Sequence, residues 1–191
     1  MIEILAVLSA SGAAGMRIAI PLLIIGLLSN NLWYGVPILS HIPPQVVLGV
    51  LTSWSLFELF GSKKLLGQRV LQIIQMVFAP IAGGMISVTF AKVAQVPSSF
   101  LWIIAIVGGL LALVLQLVLV GWFFRLRGLP IWVVLSQDAL CVFLVIFAFD
   151  APKQGGLIAM LLLWIAIRSS QEWRNWYVES KKARVNFQSP D

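Results

Sequence analysis

The sequence consists of long apolar runs separated by short segments that contain proline, glycine or basic residues, and this alternation constrains its fold more than any other feature. A helix that spans a bilayer needs roughly 20 mostly apolar residues. The runs predict helices over about 2–29, 44–60, 70–91, 99–124, 130–149 and 155–173. Hydrophobic residues make up 60% of the chain and charged residues 10%, which is more apolar surface than a soluble domain of 191 residues can bury. We therefore predict an all-α integral membrane protein, a compact bundle of about six transmembrane helices.

The basic residues divide unevenly between the two sides of such a bundle. If six helices alternate across the bilayer, ten basic residues fall on one side: Lys63, Lys64, Arg69, Arg125, Arg127, Arg168, Arg174, Lys181, Lys182 and Arg184. Only Lys92 and Lys153 fall on the other side. The positive-inside rule then predicts that both termini are cytoplasmic. Orientation and contact with anionic lipid account for the formal net charge of +6, so nucleic acid is not an expected partner.

The C-terminal segment differs in character from the rest of the chain. Trp173, Trp176 and Tyr177 recur at helical spacing among basic residues, a pattern typical of an interfacial helix at the lipid headgroups. A docking surface for a partner protein is the alternative. We divide the chain into a transmembrane domain, residues 1–174, and a basic cytoplasmic tail, residues 175–191. The N-terminal "MIEILAVL" lacks a basic region and is interpreted as the start of a retained helix.

An arginine and an aspartate are predicted to lie at the same depth in the apolar bundle. A rise of about 1.5 Å per residue, counted back from an outer end near Ser29, puts Arg17 roughly 18 Å from the outer face and 12 Å from the cytoplasmic face. The same rule puts Asp138 roughly 12 Å from the cytoplasmic face. An unpaired charge at this depth costs at least a few kcal/mol, so we expect Arg17 and Asp138 to form an ion pair. The pair either serves a functional site or only specifies which helices meet.

Four further polar residues belong to this prediction. The same count places three glutamines near the layer of the ion pair, and it places the fourth residue, Glu58, close enough to a helix end to reach water. The glutamines are Gln75, Gln116 and Gln137.

Small residues and prolines mark the places where helices are expected to pack closely or to kink. Around Arg17 these are Gly12, Gly15 and Pro21, and in the third run they are Pro80, Gly83 and Gly84. A first helix of 28 residues exceeds what the membrane needs, so it should tilt or break near Gly12 to Gly15. Broken helices expose backbone groups to solutes in many transporters, whereas close packing alone is the simpler explanation.

Four stretches resemble a known family: "SASGAAGMRIAIPLL", "LTSWSLFELF", "APIAGG" and "GLPIWVVLSQD". They are similar to the bacterial membrane family catalogued as domain of unknown function 4126, best over residues 5–92 and less closely over 100–150. The resemblance supports the fold and the identity of the polar positions, but it implies no activity. We expect the protein in a bacterial inner or internal membrane. The family pattern has a basic residue, an asparagine and an acid where this chain has Ala79, Leu129 and Gln137.

Enzyme motifs are absent from the sequence. Its one histidine, His41, precludes a site with several histidines in one chain, and "GSKKLLGQR" lacks the ending of a phosphate-binding loop. We therefore expect no catalytic residues, no cofactor and no metal. Two functions remain. One is a small-solute or ion transporter or channel with a buried Arg/Asp site; the other is a non-transporting scaffold or assembly factor that binds another membrane protein or a second copy of itself.

Overall fold

In the computed structural model, residues 2–28, 42–61, 65–126 and 130–188 are described, and their regular secondary structure is entirely helical. The helices are α1 (Ile2–Met16), α2 (Ala19–Leu28), α3 (Pro44–Gly61), α4 (Leu65–Val93), α5 (Leu101–Leu126), α6 (Ile131–Asp150) and α7 (Pro152–Gln188), with one turn of 3-10 helix at Ser98–Phe100. The predicted all-α class is confirmed. His41, Lys63, Lys64, Arg127 and Leu129 lie outside the described residues.

The first predicted helix is divided into α1 and α2, but not where the glycines suggested. The interruption falls at Arg17 and Ile18, so the prediction of a break near Gly12 to Gly15 is wrong in position. Pro21 gives the physical reason. Its nitrogen carries no hydrogen and cannot bond to the carbonyl of Arg17, four residues earlier, and its ring crowds that carbonyl.

α1 lies among four other helices and fixes their relative directions. It runs antiparallel to α6, because Ser9 donates a hydrogen bond to the carbonyl oxygen of Leu144 at 2.6 Å while Cys141 contacts the carbonyl oxygen of Ala13 at 3.4 Å. It runs parallel to α7. A Cβ atom on Gly12 would lie 3.4 Å from that of Ala159, and one on Gly156 would meet Leu5.

The bundle has two ends, which we name the Glu3 end and the Ser169 end. At the Glu3 end, the start of α1 lies beside Phe100, near the start of α5, and beside Pro152, where α7 begins. At the opposite end, Trp122 of α5 donates a hydrogen bond to Ser169 of α7 at 2.9 Å. The chain therefore enters the bundle at one end, and α7 leaves it at the other. Within the bundle, α1 thus runs in the direction of α5 and α7, whereas six alternating spans would place it opposite to both.

Many large apolar side chains lie on the outside of the bundle, and many small residues lie between its helices. Trp132 and Phe124 are each 69% exposed, whereas Ala10, Ala112 and Ala159 are fully buried. This is the reverse of the pattern in a soluble protein, and it is typical of helices packed together in lipid.

Three described helices are long and apolar enough to cross a membrane: Gly67–Val93, Ser98–Arg125 and Ile131–Asp150. Glu3–Met16 is a shorter apolar helix. α7 continues without interruption to Gln188, through the segment predicted as a separate interfacial helix. The predicted count of six spans is thus not reproduced.

Candidate functional site

The break in the first helix lies next to a buried ion pair. Arg17 Nε donates to Asp138 Oδ1 at 2.6 Å, and the two side chains are only 5% and 13% exposed. Arg17 is the first residue after α1, and Asp138 lies in the second turn of α6. The structure therefore joins the two residues that the depth argument places in one layer.

A glutamine of α6 compensates for part of the lost helical bonding at the break. Gln137 Nε2 donates to the carbonyl oxygen of Met16 at 2.7 Å. A backbone carbonyl without a donor is costly in an apolar interior, so this bond stabilises the interrupted backbone. Gln137 and Asp138, which are adjacent in sequence, thus hold the backbone and the side chain of the same break.

Glu58 is buried and does not reach water, so that part of the prediction is wrong. Its side chain faces α4 and lies near the helix break at Ile18, and the residue is 1% exposed. Trp54 Nε1 and Gln75 Nε2 each donate to Glu58 Oε1 at 3.1 Å. The depth argument measured distance along α3 only, and it could not show that this face of α3 meets α4.

The side-chain amides of Gln75 and Gln116 form a chain of hydrogen bonds that ends at Glu58, and all its donors point toward that carboxylate. An ionised carboxylate only accepts hydrogen bonds, so Gln75 must present its NH₂ group to Glu58 and its oxygen to the other side. That oxygen accepts a bond of 3.4 Å from Gln116 Nε2. The carboxylate thereby fixes the orientation of both amides and leaves the oxygen of Gln116 as an acceptor.

A small polar cavity of about 20 Å³ lies where these side chains meet. Its lining combines Arg17 and the glutamines of three helices with a few apolar side chains: Gln68, Gln72, Gln75, Gln116, Gln137, Leu71, Leu119 and Val134. Gln68 and Gln72 do not follow from the depth argument. Their spacing with Gln75, at i, i+4 and i+7, places the three on one face of α4 and is the sequence signal that predicts them.

The small residues position the helices that carry this site. A Cβ atom on Gly15 would lie 2.8 Å from the Cα atom of Ala112, and one on Gly84 would lie 3.1 Å from the carbonyl oxygen of Ala105. Gly83 also faces Ala112. α4 and α5 therefore pack backbone to backbone, and α1 packs on the same face of α5.

Pro80 packs against α5 without ending α4. It lies inside the continuous helix Leu65–Val93, and its carbonyl oxygen would be 2.8 Å from a Cβ atom on Gly109. Nearby Ala79 is fully buried. Pro80 is thus a packing residue, whereas Pro21 accompanies a break.

Metal-ligating side chains do not cluster in the part of the chain that the structure describes, where no group of three or more His, Cys, Asp or Glu is found. Cys141 is a free, buried cysteine. The site consists of one ion pair, one further carboxylate and a set of amides.

These features define a class of protein: an all-helical bundle with apolar outer surfaces that encloses an ion pair beside a broken helix. Residues 4–172 match the family described as Domain of unknown function (DUF4126), and the chain belongs to that family. The resemblance inferred from the four sequence stretches is therefore confirmed. No curated protein and no solved structure matches the chain.

Proposed function

We propose that the chain is embedded in a bacterial inner or internal membrane with its Ser169 end in the cytoplasm. The exposed cations Arg69, Arg125 and Arg168 belong to that end, whereas at the Glu3 end Lys92 and Lys153 accompany two acids, Glu3 and Asp150. The positive-inside rule supports this orientation. The end of the chain that carries Glu3 then lies outside the cytoplasm.

The directions of the helices support a proposed count of five crossings. α4, α5, α6 and α7 run alternately between the two ends and account for four crossings. Four crossings return the chain to the end at which α4 begins, so α4 begins at the Ser169 end. Because Glu3 lies at the opposite end, the residues before α4 must make an odd number of crossings. A total of five is the simplest arrangement, with α1 and α2 forming an interrupted first element.

Within this frame, we propose that the protein is a transporter or channel for a small solute or ion. The observation that carries the proposal is that the helix break at Arg17 and Ile18 borders a small cavity whose lining residues include Arg17 and five glutamines. Irregular backbone at membrane depth is tolerated where it is buried in protein or lines a polar cavity, and transporters bind solutes at such breaks. Intramembrane charges also mark many solute pathways.

A scaffold or assembly factor is the second candidate, and two observations favour it. The cavity has room for about one water molecule, and the close glycine contacts leave little freedom for α4 and α5 to move. In this alternative the ion pair only holds α1 against α6.

Flux measurements on the purified chain in liposomes separate the two functions. We would follow proton entry with a pH-sensitive dye and Na⁺ entry with ²²Na⁺, each under an imposed potassium diffusion potential, and the uptake of glycerol by light scattering. Transport predicts flux above that of protein-free liposomes, and loss of that flux in the folded double variant Arg17→Leu/Asp138→Leu. Equal traces with and without protein for all three probes favour the scaffold.

A further inference from the structure

Three buried oxygen atoms near the break have no hydrogen-bond donor among the described residues. They are Glu58 Oε2, Gln72 Oε1 and Gln116 Oε1. All three are acceptors, and Glu58 and Gln116 are each 1% exposed while Gln72 is 9% exposed. A buried polar atom without a hydrogen-bond partner is costly, so three acceptors in one region favour the binding of a donor or a cation there.

The net charge of the site also favours a bound cation. Asp138 balances Arg17 at 2.6 Å, so that pair is neutral. Glu58 accepts hydrogen bonds from two neutral side chains, the indole of Trp54 and the amide of Gln75. It also lies near the backbone N–H of Ile18 and within the field of Arg17, whose charge is already paired with Asp138. With its acids ionised, the buried layer of Arg17, Asp138 and Glu58 thus carries one unbalanced negative charge, and a single positive charge would neutralise it.

The cavity supplies a place for that charge. Gln72 and Gln116, which carry two of the three unpaired oxygens, both line it. Its volume of about 20 Å³ accommodates one particle of the size of a water molecule. Amide and carbonyl oxygens replace the hydration shell of small cations in other membrane proteins. Arg17 also lines the cavity, but Asp138 neutralises its charge.

We propose that this cavity binds one small monovalent cation, of the class of Na⁺, K⁺ or ammonium, held by the oxygens of Gln72 and Gln116 and attracted by Glu58. The amides of Gln75 and Gln116 connect that carboxylate to the site. The inference rests on the polar site of the proposed function, and it names the kind of solute or coupling ion that the site takes.

Thermal unfolding of the purified full-length protein in detergent tests the proposal. The probes are the chlorides of sodium, potassium and ammonium, compared with choline chloride at equal ionic strength, since choline is too large for the cavity. A cation that binds only the folded state raises the Tm. We expect at least one of the three small cations to raise it by about 2–5 °C relative to choline when present well above its Kd.

Three variants locate the effect. Glu58→Gln removes the negative charge but keeps the shape, and Gln116→Leu removes an oxygen of the cavity, so each should abolish the cation-specific rise. Gln154→Leu, at an exposed glutamine of α7, is the matched control and should retain it. If one site variant does not fold, the other still decides.

Two results would overturn the cation site. One is the same Tm in all four salts, which is expected if Glu58 carries a proton and a water molecule fills the cavity. The other is a cation-specific rise that persists in the site variants. If the protein carries solute flux but no small cation raises its Tm relative to choline, the cation site is wrong and the transport function stands. If a small cation raises the Tm but there is no flux, the transport function is wrong and the cation site stands.

Discussion

Gly15 of α1 lies so close to Ala112 of α5 that a Cβ atom on Gly15 would be 2.8 Å from both the Cα and the carbonyl oxygen of Ala112. This contact sets the distance between the two helices two residues before the break at Arg17. Backbone atoms cannot move aside as the end of a flexible side chain can, so α1 must have glycine here if it is to keep its position.

Gly15→Ala should therefore push α1 away from α5. Overpacking of this kind costs about 1–3 kcal/mol, and we expect a lower Tm for the purified protein in detergent. Gly121→Ala is the control on α5, because a Cβ atom there would meet nothing within 4 Å. Alanine favours helix by up to about 1 kcal/mol over glycine, so the control should be unchanged or slightly more stable. Equal losses in the two variants would contradict the close contact.

The pairing of Arg17 with Asp138 predicts strong coupling between two substitutions. Arg17→Leu or Asp138→Leu alone leaves a buried charge unpaired and should cost about 3–5 kcal/mol. The double variant should lose less than the sum of the two single losses, with a coupling energy of about 0.5–3 kcal/mol. Unfolding of all four proteins in parallel measures this coupling. Strictly additive losses would show that the two side chains do not meet.

The hydrogen bond from Gln137 to Met16 predicts that removing its donor lowers the stability of the folded protein. Gln137→Leu leaves the carbonyl of Met16 without its donor and should destabilise the protein by about 1–3 kcal/mol. Ser136→Ala is the adjacent control. Ser136 is exposed and bonds to Trp132 within its own helix, so its loss should change stability by less than about 0.5 kcal/mol. A Gln137→Leu protein as stable as Ser136→Ala would mean that the carbonyl finds another donor.

The opposite placement of Glu3 and Ser169 predicts opposite sides of the membrane for the neighbouring residues. In intact cells, Glu3→Cys should react with a membrane-impermeant maleimide, and Ser170→Cys should react only after the membrane is opened. The parent protein is the control, because its single cysteine, Cys141, is buried. Labelling of both positions under the same condition would restore the arrangement with both termini on one side.

The bounds of the helices could be predicted from the sequence, because the apolar runs and the proline, glycine or basic residues that separate them are local features. The run from 44 to 60 became Pro44–Gly61, and that from 130 to 149 became Ile131–Asp150. Direction is different. The hydrophobicity of a run is the same in either direction, so only contacts such as that of Ser9 with Leu144 show that α1 runs antiparallel to α6.

Two residues show how far the depth argument reaches. Arg17 and Asp138 do meet, although the first helix runs in the reverse direction, because Arg17 lies near the middle of that helix and reversal moves it by only about one turn. Glu58 shows the limit of the same argument. Its burial depends on which face of α3 touches α4, and no periodicity along residues 44–60 determines that face.

The uninterrupted course of α7 has a mechanical consequence. A helix of 37 residues is about 55 Å long, roughly 25 Å more than the apolar core of a bilayer. The portion that contacts Leu5 and Ser9 and the portion that follows Ser169 belong to the same uninterrupted helix. Any rotation or tilt of the half of α7 that packs against α1 therefore also moves the half that follows Ser169.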